Sequence, residues 1–137
     1  MSYGVAAALQ AAIFQRLSGD AVLSGLVGDA IYDALPPGPL PPVYVTLGPE
    51  EVRERGDKTA AGAWHSLTVS VVSEAAGFLS AKEVAAAVSD ALVDADLTLA
   101  RGQLRGLVFL RARARREPGG TRRRIDLVFR ARVDDTP

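Results

Sequence analysis

Few residues in this chain can carry chemistry. His65 is the only histidine and cysteine is absent. A thiolate nucleophile, a disulfide framework and any Cys-based zinc or iron-sulfur site are therefore excluded, and any imidazole base, metal ligand or triad must use His65. His65 alternates with Leu67 and Val69 in the pattern of an apolar strand face, so it reads as a packed side chain rather than a reactive one. No His cluster or Asp-x-Asp run has metal-ligand spacing. The run Gly56-Asp57-Lys58-Thr59 has the superficial form of a phosphate-binding loop. Asp57, however, intrudes between glycine and lysine, no glycine stands five residues before Gly56, and a strand follows where a helix N-terminus would be needed. Glu50-Glu51 sit side by side on an apparent loop, as solvated acids do. The residues thus predict neither a catalytic constellation nor a cofactor.

Charge is the more informative property. Sixteen Lys plus Arg balance sixteen Asp plus Glu, and no polyanionic partner follows from a net charge of zero. Residues 1–100, however, hold five basic groups and twelve acids, whereas eleven arginines lie between Arg101 and Arg132 with only Glu117, Asp126, Asp134 and Asp135 among them and after them. Two readings stay open. An acidic and a basic region allow head-to-tail association of copies; alternatively, the arginines form a solvated hairpin face. Nucleic-acid binding as a primary activity is disfavoured by the zero net charge and by only 6% aromatic residues, without an interleaved stacking platform.

The elements that position these groups follow from periodicity. Val5, Leu9, Ile13 and Leu17 recur at helical spacing, predicting a helix over 3–18 that Gly19 ends in a left-handed conformation. Asp20 caps a short second helix, completing a helical hairpin. Ile31–Leu35 reads as a short edge strand, followed by the crossover Pro36-Pro37-Gly38-Pro39-Leu40-Pro41-Pro42, which holds five of the eight prolines. Val43–Leu47 and His65–Val71 alternate as half-buried strands, separated by a long charged loop from Gly48 to Gly62. Ser80 and Glu83 form a capping box, with Leu79 and Val84 as its staple, before a helix ending near Val93. In the last two strands, Val108, Leu110, Ala112 and Ala114 share one face with Arg111, Arg113 and Arg115 on the other, and Ile125, Leu127, Phe129, Ala131 and Val133 alternate with Asp126, Arg130 and Arg132. They pair through the turn 117–121, with Leu110 opposite Leu127 and Arg111 opposite Asp126.

The expected fold is α+β: an antiparallel or mixed sheet of four to five strands, with a helical hairpin and one long helix packed against it, in a single domain over 1–137. No apolar run approaches the ~18–20 residues of a membrane span, and the N-terminus lacks a basic region before its apolar residues, so a soluble cytoplasmic product is expected.

In this order the chain resembles the small tail terminator (tail completion, head-tail joining) proteins of long-tailed phages and gene transfer agents. The residues that carry the resemblance are Ile31-Tyr32-Asp33-Ala34 with Pro36-Pro37, Pro42-Val43-Tyr44-Val45-Thr46-Leu47-Gly48, Asp57-Lys58-Thr59 with Gly62-Ala63-Trp64-His65, and Asp96-Leu97-Thr98-Leu99. Arg116-Glu117-Pro118-Gly119-Gly120-Thr121 leading into Leu127-Val128-Phe129-Arg130-Ala131 completes it. Ser73-Glu74-Ala75-Ala76-Gly77 departs from the pattern, which often has a basic residue between strand and glycine.

The resemblance implies a non-enzymatic virion component without cofactor. Its copies form a ring, usually a hexamer, that caps the head-proximal end of the tail tube, stops tube growth and meets the head connector. The implied partners are further copies of itself, the tail tube protein and the head-tail connector protein, with no membrane and with nucleic acid only as DNA passing through the ring. The implied location is the virion or gene transfer agent particle, assembled in the host cytoplasm. Candidate interface residues are Glu50, Glu51, Arg53, Glu54, Arg55, Asp57 and Lys58 on the charged loop, which can act as an arm, and Arg111, Arg113, Arg115, Arg122 and Arg124 on the basic hairpin. The competing readings are an adaptor binding portal or capsid and a small-ligand-binding α+β domain.

Overall fold

The helical stripe read from the sequence is the one the chain buries: Val5, Leu9, Ile13 and Leu17 are all at most 2% exposed. The computed structural model describes residues 3–54 and 62–135. A 3-10 turn, Tyr3–Val5, leads into α1, Ala6–Ser18. Gly19 does not end α1 in a left-handed conformation, since its φ of −91° is right-handed. The left-handed glycine lies one helix later, at Gly28 with φ 65°, after α2 (Ala21–Val27). Asp20 caps α2 as expected, its Oδ2 accepting a bond from the Leu23 N–H at 2.9 Å.

The third helix, α3 (Leu79–Leu92), buries Val84, Val88 and Leu92 on one face, but it does not begin with the expected capping box. Phe78 is the cap residue, already has right-handed φ and ψ of −90° and −6°, and makes no side-chain cap bond. Ser80 therefore lies inside the first turn, and Leu79 is 74% exposed, too solvated to act as a staple. What anchors this end is the Phe78 ring, packed at the core margin with the Arg123 guanidinium 5.6 Å from its centroid.

Five strands form one mixed sheet in the order β1-β2-β3-β5-β4. β1 (Ile31–Tyr32) is shorter than expected and pairs in parallel with Val45 and Thr46 of β2. β2 (Val43–Glu54) and β3 (Gly62–Ser73) form an antiparallel hairpin, so most of the expected charged loop is strand. A register shift between Leu47 and Glu50 absorbs Gly48 and Pro49, letting the ladder continue past a proline that sequence reasoning treats as a breaker. β5 (Arg123–Asp134) lies between β3 and β4 (Gln103–Arg116), antiparallel to both.

The β4–β5 register corrects the expected pairing by two residues. Arg113, not Arg111, stands opposite Asp126, and Ala112, not Leu110, stands opposite Leu127. A second irregularity between Phe109 and Arg111 leaves Leu110 out of the ladder and moves Phe109 to the face of Ala112 and Ala114. The expected grouping of Val108 and Leu110 with those alanines therefore fails.

The helices cover one face of the sheet, with α3 packed on β3 and β5. Beneath them lie Val69, Val71, Ile125, Leu127, Phe129, Ala131 and Val133, all buried. The connection into β4 turns at Gly102, where φ is 74° and a Cβ would approach the Asp134 carbonyl oxygen to 2.6 Å, so only glycine fits.

These ends respond differently to mutation. Replacing Ser80 and Glu83 together with alanine is expected to cost less than about 0.5 kcal/mol, since no cap bond is lost. Asp20→Ala is expected to cost about 1 kcal/mol. Chemical denaturation of the two variants checks this ordering, and a larger loss in the Ser80/Glu83 variant would contradict the observed helix start.

Candidate assembly interface

Strand pairing decides which candidate residues meet. On the face away from the helices, cross-strand rows join Arg53, Trp64 and Arg132; Glu51, Ser66, Arg130 and Val108; Thr68, Val128 and Arg111; Ser70, Asp126 and Arg113; and Val72, Arg124 and Arg115. Glu50 and Glu51 thus point to opposite faces. Glu51, Arg53 and Glu54 are exposed on β2, while Arg55, Asp57 and Lys58 lie outside the described residues.

Glu50 is exposed as expected, yet its carboxylate is engaged. Its Oε2 lies 3.1 Å from Nδ1 of His65, which is fully buried. His65 Nε2 is also enclosed and has no hydrogen-bond partner among the described residues. An imidazole sealed on all sides cannot meet a substrate, which agrees with the packing role read from its strand position.

The hairpin arginines fall into two groups. Asp126 accepts from Ser70 Oγ at 2.6 Å and from Arg124 Nε at 2.9 Å, and Arg115 approaches its other oxygen at 3.4 Å. Arg124 also reaches Ser70 Oγ and Glu117. Arg122 pairs with Glu74 and with the Tyr44 hydroxyl, its guanidinium 5.9 Å from the Tyr44 ring centroid. Arg115, Arg122 and Arg124 are therefore already engaged within the chain. Arg111 and Arg113 are exposed and have no carboxylate partner among the described residues.

Sequence reasoning missed two groups. Val108, Phe109 and Leu110 are 40%, 44% and 39% exposed on β4, an edge strand whose outer side has no strand partner among the described residues. Val108 and Leu110 had been expected on the hairpin's apolar face; instead Val108 pairs with Arg130 on the open face and Leu110 falls at the irregularity. Arg130 and Arg132 stack on Trp64 with guanidinium carbons 4.4 and 5.9 Å from the ring centroid. Their alternation with Phe129, Ala131 and Val133 marked them as outward-facing, but Trp64 as their platform needs the β3–β5 register.

An open groove of about 690 Å³ runs along α1, lined by Ala7, Ala11 and Phe14 with Asp33 and Glu50. Both carboxylates are already engaged, Asp33 by the Gln10 amide and Glu50 by His65. Convergent free polar groups, which a small-ligand site requires, are missing from this lining. Among the described residues no group of three His, Asp or Glu side chains could hold a metal ion, and no helix is long and apolar enough to cross a membrane.

The Asp126 network makes stability depend on pH. Burial pushes the Asp126 carboxyl up, but the bonds donated by Ser70 and Arg124 outweigh it and hold the group below its ordinary value. As pH falls, the unfolded chain takes up this proton first. The network's contribution is thus complete above the ordinary carboxylate value of about 3.9 and disappears as pH falls through the lower native value. Asp126→Asn is expected to flatten this part of the acid limb of stability, measured by thermal unfolding from neutral pH to about pH 2.

Comparison with known proteins now bears on these surfaces. The family model for tail completion protein gp17 matches residues 11–134. Among curated proteins none matches. A chain in a structure described as the virion of a native gene transfer agent (GTA) particle is 64% identical, with a TM-score of 0.92 over 97% of this chain and 99% of that one. A helix-covered sheet with a charged open face and an apolar free edge suits a structural part, and the family match agrees: this chain belongs to the tail completion protein gp17 family, with a structural role in a phage-like tail.

Proposed function

We propose that this chain is the terminator ring subunit of a phage-like tail in a gene transfer agent or related particle. Its copies close into a ring, a hexamer on the family resemblance, that caps the head-proximal end of the tail tube, stops its growth and joins it to the head connector. The observation that carries this reading is the near-complete correspondence with a chain of a gene transfer agent virion. Catalysis has no part in it.

The sheet supplies two dissimilar edges for such a ring. At one side, β4 presents Val108, Phe109 and Leu110 with Arg111 and Arg113, which have no carboxylate partner among the described residues. At the other, β2 beyond its short pairing with β1 carries Glu50, Glu51 and Glu54 with a single arginine, Arg53. Neighbours in the series β2, β3, β5, β4 are all antiparallel, so β4 and β2 run in opposite directions. A β4 placed beside the β2 of an equally oriented copy therefore meets it antiparallel, the geometry that forms a regular ladder. Such a heterologous contact closes into a ring when its rotation divides a full turn. Arg55, Asp57 and Lys58, candidates from the sequence, lie outside the described residues and take no part in this geometry. Arg115, Arg122 and Arg124 act indirectly, by holding the hairpin in shape. Apolar contacts supply most of the affinity and the exposed charges supply register.

Native mass spectrometry of the purified chain, alone and with assembled tail tubes, tests the ring. Co-purification with tube subunits rather than portal subunits separates a terminator from a connector adaptor. Replacing Arg111 and Arg113 together with glutamate is expected to weaken ring formation at least tenfold without unfolding the subunit, and the defect is expected to vary with salt as exposed charges are screened over ~8–10 Å. Normal rings from this variant at low salt would remove the arginines from the interface. His65→Gln is expected to assemble normally, whereas His65→Ala is expected to lose about 2 kcal/mol of stability because it empties a buried site.

A further inference from the structure

The charge asymmetry of the sequence becomes, in the fold, an asymmetry between the two sides of the sheet. The face away from the helices carries Arg53, Arg111, Arg113, Arg115, Arg124, Arg130 and Arg132 against Glu51 and Asp126, an excess of five positive charges on a chain of zero net charge. Arg105 with Asp134 and Arg122 with Glu74 form self-cancelling pairs. The helices and their connections, residues 3–33 and 75–100, are the reverse: seven acids, namely Asp20, Asp29, Asp33, Glu83, Asp90, Asp94 and Asp96, against Arg16 and Lys82.

We propose that this basic sheet face is a binding surface for the phosphate backbone of double-stranded DNA, centred on Arg130 and Arg132 over Trp64, and that it is the face the ring turns toward its channel. The proposal rests on the ring reading for its orientation, but the surface itself is a property of the single chain. Arg130 and Arg132 lie against the Trp64 ring and have no carboxylate partner among the described residues. Stacking fixes the guanidinium planes and leaves N–H groups to bond a phosphate. Exposed Arg53 flanks Trp64 across β2, while Arg111 and Arg113, assigned above to the contact with a neighbouring copy, stand at the margin of this strip.

The centre of this face argues against a protein partner. Between the arginines lie Ser66 and Thr68 with only two valines, Val128 and Val108, and the Trp64 ring is covered by cations. A protein interface needs a desolvated apolar centre, whereas a polyanion needs only spaced positive charge and releases counterions on binding. DNA against the acidic helix layer would be repelled, so electrostatics selects the sheet face for the channel side. The contact involves backbone phosphate only and predicts no sequence preference.

Trp64 is the only tryptophan in the chain, which gives the site its own reporter. The full-length chain is titrated with a random-sequence duplex between about 50 and 200 mM salt, following both duplex anisotropy and Trp64 emission, with native mass recorded on the same samples. Binding is expected to be independent of sequence, to weaken steeply with salt and to change Trp64 emission. Arg130→Glu with Arg132→Glu is expected to lower affinity at least tenfold and to reduce the salt slope by about 2. Arg130→Glu alone is compared with Lys82→Glu on the helix layer, which changes charge equally and is expected to bind as the unaltered chain does. The proposal is overturned if the double variant binds duplex normally, if Trp64 emission stays constant at saturating duplex, or if a tail tube subunit rather than duplex perturbs it. A monomeric mass in every sample would refute the ring while leaving the titration to decide the face.

Discussion

The alternation of β5 is the constraint on which the rest of the structure depends. Ile125, Leu127, Phe129, Ala131 and Val133 lie under the helices, and Arg124, Asp126, Arg130 and Arg132 project from the other side. Because β5 is flanked by β3 and β4, its polar residues stand in the middle of a sheet face rather than at a margin. Charges so placed must be paired, stacked or left in water. All three occur: Arg124 binds Asp126, Arg130 and Arg132 lie on Trp64, and Arg113 on the adjacent strand stays solvated. A register slip of one residue would send these arginines into the core.

Asp126 holds a central place in this arrangement. It joins β5 to β3 through Ser70 and to β4 through Arg115, and it also fixes Arg124. Three strands are thereby tied together by one carboxylate on the open face, where no helix packs to do so. Its lowered pKa is the electrostatic signature of that role. At the other end of the sheet, Glu50 and His65 form the corresponding polar contact on the covered side.

Much of this was legible in the sequence, for identifiable reasons. The α1 stripe, the Asp20 cap and the alternation of β3 and β5 depend on local periodicity alone, and all appear as read. The Ser80–Glu83 motif failed because Phe78 found an aromatic anchorage that a local signature cannot register. Gly48 and Pro49 were read as breakers, yet a bulge takes them into β2 and carries the hairpin on to Glu54. The β4 register failed for a related reason: alternation predicts which residues share a face only up to the first irregularity. At the candidate assembly surface, the charge imbalance along the chain was visible. Its division into engaged and free arginines was not, because Glu74, Glu117 and Asp126 select their partners in space.

Edge-strand chemistry explains how such a surface avoids indiscriminate pairing. An apolar free edge such as Val108–Leu110 invites indiscriminate pairing, and proteins guard such edges with charge. Arg111 and Arg113 stand immediately beyond the irregularity that exposes these residues. Two β4 edges approaching each other bring like charges together, which disfavours symmetric dimers and stacked strands. An edge carrying Glu50, Glu51 and Glu54 meets no such penalty. The same arginines thus oppose self-pairing of β4 and favour a dissimilar partner edge, giving the contact a direction. Under the ring proposal that directionality matters more than affinity: a contact with distinct donor and acceptor sides can close on itself, and closure leaves no free edge to recruit another copy.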